Sequence, residues 1–215
     1  MLTVMTDDAI PAEAQELHVQ GRAAGSAGDT ALALELFHRA HMLAPSWPYP
    51  PYDMAFTYLL ADDLDQASQW YAHVDRLAPR GFFTAKTALD TIRREMRGEL
   101  FEGFSKQFAL LEFESDETKL EALGHITQRF PEFAPGWEKL VSLLDDDDER
   151  LRAIDHGLAG NPDDDTYGSL VINKALVTSR RGDRVGAKRS LEQLLVDTRC
   201  TIGAEALANM TLSSL

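Results

Sequence analysis

Residues 14–45 read AQELHVQGRAAGSAGDTALALELFHRAHMLAP, and the next stretch closes on WYAHVDRLAP at residues 70–79. The two LAP endings set Pro45 and Pro79 34 residues apart. At that offset Gly21 falls on Ala55, Ala33 on Ala67, Phe37 on Tyr71 and Ala40 on Val74. Two helices approach closely only where one of them lacks bulk, and the small residues of this register supply such places. Phe37 and Tyr71 each follow a small residue by four positions, one turn on and on the same face, so the ring fills the space beside it. Gly28-Asp29 and Asp62-Asp63 fall midway, where a turn and a helix N-cap are needed. Pro45 and Pro79 have no amide hydrogen and stop the second helix.

This register resembles the tetratricopeptide repeat, a pair of antiparallel helices of that length. The resemblance implies an all-α fold, a right-handed α-solenoid of antiparallel helical hairpins wound into a superhelix. It also implies protein binding rather than catalysis. Two family positions differ: the usual first-helix Trp is Leu17 in one copy and Pro51 in the other, and the usual Leu is Gln20 in the first. In the family the first helix of each hairpin lines a concave face, through positions that map to Gln15, His18, Arg22 and Gly25 and then to Tyr49, Tyr52, Phe56 and Leu59. The second set is aromatic and would anchor a partner if open; the competing reading is that a neighbouring helix or the N-terminal lead-in covers it. One family subset grips a chaperone's C-terminal carboxylate with Lys and Asn. The matching positions here are His18, Arg22 and Asp53, and Asp53 repels a carboxylate, which argues against that partner.

Along the chain, residues 1–11 read as a lead-in and 12–80 as two well-formed hairpins, with the second copy's first helix starting near Pro51. Residues 81–98 read as an irregular helix, with Phe83, Ala88 and Ile92 as its apolar side and no partner of its own. Residues 99–199 read as degenerate hairpins. Within them a helix is expected over Glu99–Glu114, a capped start at Ser115, a stop at Pro131 and another at Gly160-Asn161-Pro162. Residues 200–215 read as a capping helix that covers the last hairpin with Ile202, Leu207 and Met210.

The chain has 215 residues, 44% of them hydrophobic, and a single cysteine, Cys200. That composition is globular, and one thiol excludes an internal disulfide framework. The start, MLTVMTDDAIP, lacks the basic and apolar regions of a secretory signal, and no run is long enough to span a membrane, so a cytoplasmic protein is expected. Net charge is −14. From Pro131 to Asp165 there are eleven acidic and three basic residues, whereas Lys174 to Arg199 holds seven basic and three acidic, which predicts opposed electrical poles. An acidic chain repels nucleic acid, and an acidic groove favours cationic peptides or peptides with apolar anchors.

Catalytic signatures are absent from the sequence: no nucleophile elbow, phosphate loop or dinucleotide fingerprint is present, and no cofactor is implied. His38 and His41 lack further ligands at zinc spacing. Asp145 to Asp148 lacks the alternation and glycine of a calcium loop and reads as a turn that caps the next helix. The resulting expectation is a non-enzymatic module that binds a protein segment through Gln15, His18, Arg22, Tyr49, Tyr52, Asp53, Phe56 and Leu59. The alternative is a self-associating scaffold, a homo-oligomer joined through its apolar face and its opposed ends.

Overall fold

The computed structural model describes residues 10–215; of the lead-in, residues 1–9 lie outside the described residues. Twelve α-helices and no strand occur among the described residues. They are α1 (Ala12–Ser26), α2 (Thr30–Leu43), α3 (Tyr49–Leu60), α4 (Leu64–Leu77), α5 (Ala85–Met96) and α6 (Phe104–Leu110), then α7 (Asp116–Arg129), α8 (Ala134–Leu143), α9 (Asp147–Ala159), α10 (Asp164–Arg180), α11 (Arg184–Val196) and α12 (Ile202–Ser214). The chain divides into two compact units, one ending at Gln107 and the other running Phe108–Leu215, with the division inside α6.

In the first unit each helix packs on the next from α1 to α5, and α1 also touches α3. That second contact marks stacked hairpins, because the first helix of one lies beside the first helix of the next. The core gathers Leu17, Ala24, Ala33, Leu36, Phe37, Ala40 and Met54. Fully burying a Leu, Phe or Met side chain stabilises by about 1.5–3 kcal/mol, so the large members supply most of the driving force while the alanines set the spacing. The caps are as the sequence expects: Asp29 Oδ1 accepts from the Leu32 amide at 3.1 Å and Asp63 Oδ1 from that of Gln66 at 3.0 Å. Gly28 turns the chain at φ +83°. Asp62, at the same place in the second copy, takes φ +61°, a conformation that short polar side chains tolerate.

α5 does not stand alone, since it packs on α4 as α3 packs on α2. It begins at Ala85, and Phe83 lies before it with its side chain 60% exposed, so Leu89 and Ile92 form the buried side without Phe83. The helix expected over Glu99–Glu114 is shorter. Gly103, at φ +82°, delays its start, and a 3-10 turn at Leu111–Phe113 ends it. The buried Glu95 carboxylate reaches across from α5 to accept from the Gly103 amide at 2.5 Å and the Ser105 amide at 2.7 Å.

In the second unit α7 to α12 pack in succession on their neighbours, and α8 touches α10 as α10 touches α12. Asp146, within the acidic run, caps α9 through the Asp148 and Glu149 amides. α12 covers the last hairpin with the face opposite to the expected one. Ala204, Ala208 and Thr211 are buried, while Ile202, Leu207 and Met210 are 45%, 48% and 70% exposed. The reason is proximity: a Cβ on Gly168 would lie 2.6 Å from the Ala204 Cβ, so α10 and α12 meet too closely for large side chains.

The opposed charges partly pair with each other. Arg180 pairs with Asp147 at 2.5 Å, Lys174 with Asp155 at 2.7 Å and Arg199 with Asp164 at 3.1 Å, and Arg181 pairs with Asp148. The basic and acidic stretches therefore fold against each other inside one unit.

Candidate functional site

The first helices of the two clear hairpins, α1 and α3, share a polar contact at the centre of the expected binding face. His18 Nε2 donates to Asp53 Oδ2 at 2.7 Å, and Arg22 Nε stands 4.0 Å from the same oxygen. Asp53 is held from its own helix by the Thr57 hydroxyl, which donates to the Asp53 carbonyl at 2.7 Å. The His18 ring is buried against Phe37, Trp47 and Tyr49, with centroids at 5.7, 4.9 and 6.0 Å. The buried Trp47 Nε1 has no hydrogen-bond acceptor among the described residues. Ile10, Ala14, Ala44 and Trp47 close this end of the unit, and the Gln15 side chain donates to the Ile10 carbonyl at 3.0 Å.

The residues expected to meet a partner separate into two groups. His18 and Leu59 are 6% and 1% exposed and offer a partner almost no surface, so they belong to the hairpin's support. Gln15 and Arg22 are exposed, and Tyr49, Tyr52, Asp53 and Phe56 are half-buried along α3. Tyr52 packs edge-on to the buried Tyr71, 5.6 Å away, whose hydroxyl titrates well above the ordinary tyrosine range because it is buried, with Tyr52 and Asp53 adding to the effect. What the sequence reading missed is the cover: Phe82 and Phe83, from the loop before α5, lie against both Tyr49 and Tyr52. The signal was present as two adjacent aromatics directly after Gly81, a pair that one helical face cannot bury together.

The hairpin type rests on one close approach. A Cβ on Gly21 would lie 2.6 Å from Phe37 Cε1, so the first helix must be bare where the second helix's ring crosses it. Ala55 and Tyr71, both buried, occupy the same places in the second copy. The hairpins are tetratricopeptide-like. No family model and no curated protein matches the chain. Among solved structures it is similar to residues 41 to the end of MamA from Desulfovibrio magneticus RS-1, at 15% identity and a TM-score of 0.40, covering 86% of this chain and 94% of that one. It is also similar to a thermophilic TPR protein, TTC0263, from Thermus thermophilus, at 18% and 0.39, covering 93% and 99%. A third is the flexible tandem repeat domain of a bacterial cellulose synthase component, at 21% and 0.39, covering 95% and 92%.

The second unit repeats the arrangement with different chemistry. On α8 and α10, each the first helix of a packed pair, Glu138 Oε1 accepts from the Ser169 hydroxyl at 2.5 Å. The Asn173 amide donates to the Ser169 carbonyl at 3.0 Å. Burial pushes the Glu138 carboxyl above the usual carboxylate range, against the pull of the Ser169 hydrogen bond. No sequence pattern announced this cluster, because its members come from two helices and none is unusual on its own. Among the described residues no group of three or more His, Cys, Asp or Glu could hold a metal ion, and none of the helices is long and apolar enough to cross a membrane.

Proposed function

We propose that the chain is a non-enzymatic, cytoplasmic protein-interaction module. It holds an extended segment of a protein partner along α1 and α3, with Tyr52 and Phe56 as anchors and Arg22 and Asp53 fixing the segment's direction. The observation that carries the reading is the half-buried aromatic row of α3 beside the charged Arg22–Asp53 pair. A row of this kind offers apolar area with polar groups at its edge, which is the composition of an interface anchor. The net charge of −14 supports a cationic segment and disfavours nucleic acid. A pull-down with Tyr52→Ala and Phe56→Ala tests it: loss of one or more partners is expected, and retention of all of them retires this face.

A second reading, self-association, is favoured by one observation, the exposure of Ile202, Leu207 and Met210 on α12. Light scattering over a concentration series decides it, and a monomer throughout removes it.

A further inference from the structure

The loop between α4 and α5 holds a conformation that its sequence resists. Gly81 lies at φ +93°, which costs glycine little, but Phe83 lies at φ +47°, where a Cβ and a bulky ring are disfavoured. Core burial does not offset this, because the Phe83 side chain is 60% exposed. Its ring instead rests against the α3 aromatics, with centroids 5.5 Å from Tyr49, 5.4 Å from Tyr52 and 4.6 Å from Phe82. The loop is tied to the same helix by the pair of hydroxyls on Tyr52 and Thr84, 3.0 Å apart. A strained, exposed ring thus sits on the row that the proposed function treats as an anchor.

We propose that Phe83 is a resident substitute for an aromatic side chain of the partner, which displaces it from Tyr49 and Tyr52 on binding. The idea rests on the α3 face being the binding face. The occupant's chemistry is read from the ring already there. Tyr49, Tyr52 and Phe82 present edges and faces at spacings suited to a phenyl or phenol group, and an aliphatic chain of equal bulk would forfeit that ring-to-ring preference. Displacement frees the loop from an unfavourable backbone well, so part of the strain favours the bound state. Until then the internal ring competes, and the apparent affinity falls by the fraction of molecules in which the seat is open.

The test compares wild type with Phe83→Gly, which keeps the backbone conformation and removes the ring, and Phe83→Leu, which keeps the strain and the bulk. The probes are capped tripeptides of glycine flanking phenylalanine, leucine or lysine, titrated while the Tyr ring resonances are followed by NMR. The expected result is about tenfold tighter binding of the phenylalanine probe to Phe83→Gly than to wild type. Shifts should fall on Tyr49 and Tyr52, the leucine and lysine probes should bind more weakly, and Phe83→Leu should lie in between. The melting temperature of Phe83→Gly should not drop, since glycine accepts the loop's φ. Equal binding by wild type and Phe83→Gly overturns the proposal, as does preference for the leucine or lysine probe, or a lowered melting temperature without tighter binding. If Tyr52→Ala still loses partners while Phe83→Gly gains nothing, the face stands and the displacement idea alone falls.

Discussion

His41 and His73 meet edge to face at 5.1 Å, and Trp70 stands 5.7 Å from each. Arg76 Nη2, 3.4 Å from His73 Nδ1, can only donate, so Nδ1 accepts and the neutral ring carries its proton on Nε2. That Nε2 and His41 Nδ1 are buried without a hydrogen-bond partner among the described residues. Both rings titrate below the ordinary histidine range: His41 through burial, then His73 and His38, and His73 through burial, then Arg76. Every titratable group acting on the pair is itself a base, so nothing there welcomes a proton. With the folded pKa lowered, the unfolded chain takes up the proton first, and stability is lost as pH falls below the ordinary histidine value of 6.5. The melting temperature should therefore decline from neutral pH towards pH ~5.5, and the His41→Phe, His73→Phe double variant should flatten that decline. An unchanged slope in the variant would sink the assignment. At Gly21 the decisive quantity is space. Alanine is favoured over glycine inside a helix by about 1 kcal/mol, yet its Cβ would meet the buried Phe37 ring. Overpacking costs about 1–3 kcal/mol, so Gly21→Ala should lower unfolding stability in a denaturant titration, and Phe37→Leu in the same chain should recover part of it.

Among elements, α6 shows how a helix start is set from a distance. Glu95, eight and ten residues upstream of the amides it holds, accepts from the Gly103 and Ser105 amides at the start of that helix. Glu95→Ala leaves two amides without their acceptor and should cost about 2–3 kcal/mol, measurable as a shift in the denaturation midpoint. Glu95→Gln retains an acceptor and should cost less; equal losses for the two would mean that packing, not capping, is Glu95's role. The same contact explains what the sequence made legible. The starts and stops of α2 and α4 were legible because Asp29 and Asp63 cap them locally and Pro45 and Pro79 follow them, all within a few positions. The helix expected over Glu99–Glu114 was misread because its boundary depends on a carboxylate in another helix. α12 was misread for a different reason, since Ile202, Leu207 and Met210 and the buried Ala204, Ala208 and Thr211 both recur at helical spacing, and only the closeness of Gly168 chooses between them. On the candidate face, sequence proposes Arg22, Tyr52, Asp53 and Phe56, which the structure leaves exposed or half-buried, but it could not show that His18 and Leu59 turn inward. It also could not show that a loop residue covers Tyr49.

For the molecule as a whole, charge decides less than its distribution along the chain implied. Four of the seven bases between Lys174 and Arg199 pair with Asp147, Asp148, Asp155 and Asp164 of the acidic stretch from Pro131 to Asp165. The Arg180 hydrogen bond holds the Asp147 carboxyl below its usual range, with the Coulombic pull of Arg180 and Arg150 adding to it. These pairs are partly exposed and screened by solvent, so their consequence is electrical rather than energetic: four of the seven bases that end-to-end attraction would use are already engaged. A route through apolar surface is then open, and Ile202, Leu207 and Met210 are exposed together on one helix, α12. The two routes respond oppositely to ionic strength. Between about 0.05 and 0.5 M salt, charge-driven assembly weakens as the screening length shrinks to a few ångströms, whereas apolar contact persists or strengthens. Multi-angle light scattering should show a mass that does not fall with salt. Any dimer should be lost in a variant carrying Ile202→Ser, Leu207→Ser and Met210→Ser, whose buried Ala204, Ala208 and Thr211 are untouched and whose melting temperature should therefore stay near that of wild type. An assembly that dissolves on adding salt would restore the opposed poles and remove the ion pairs as their explanation.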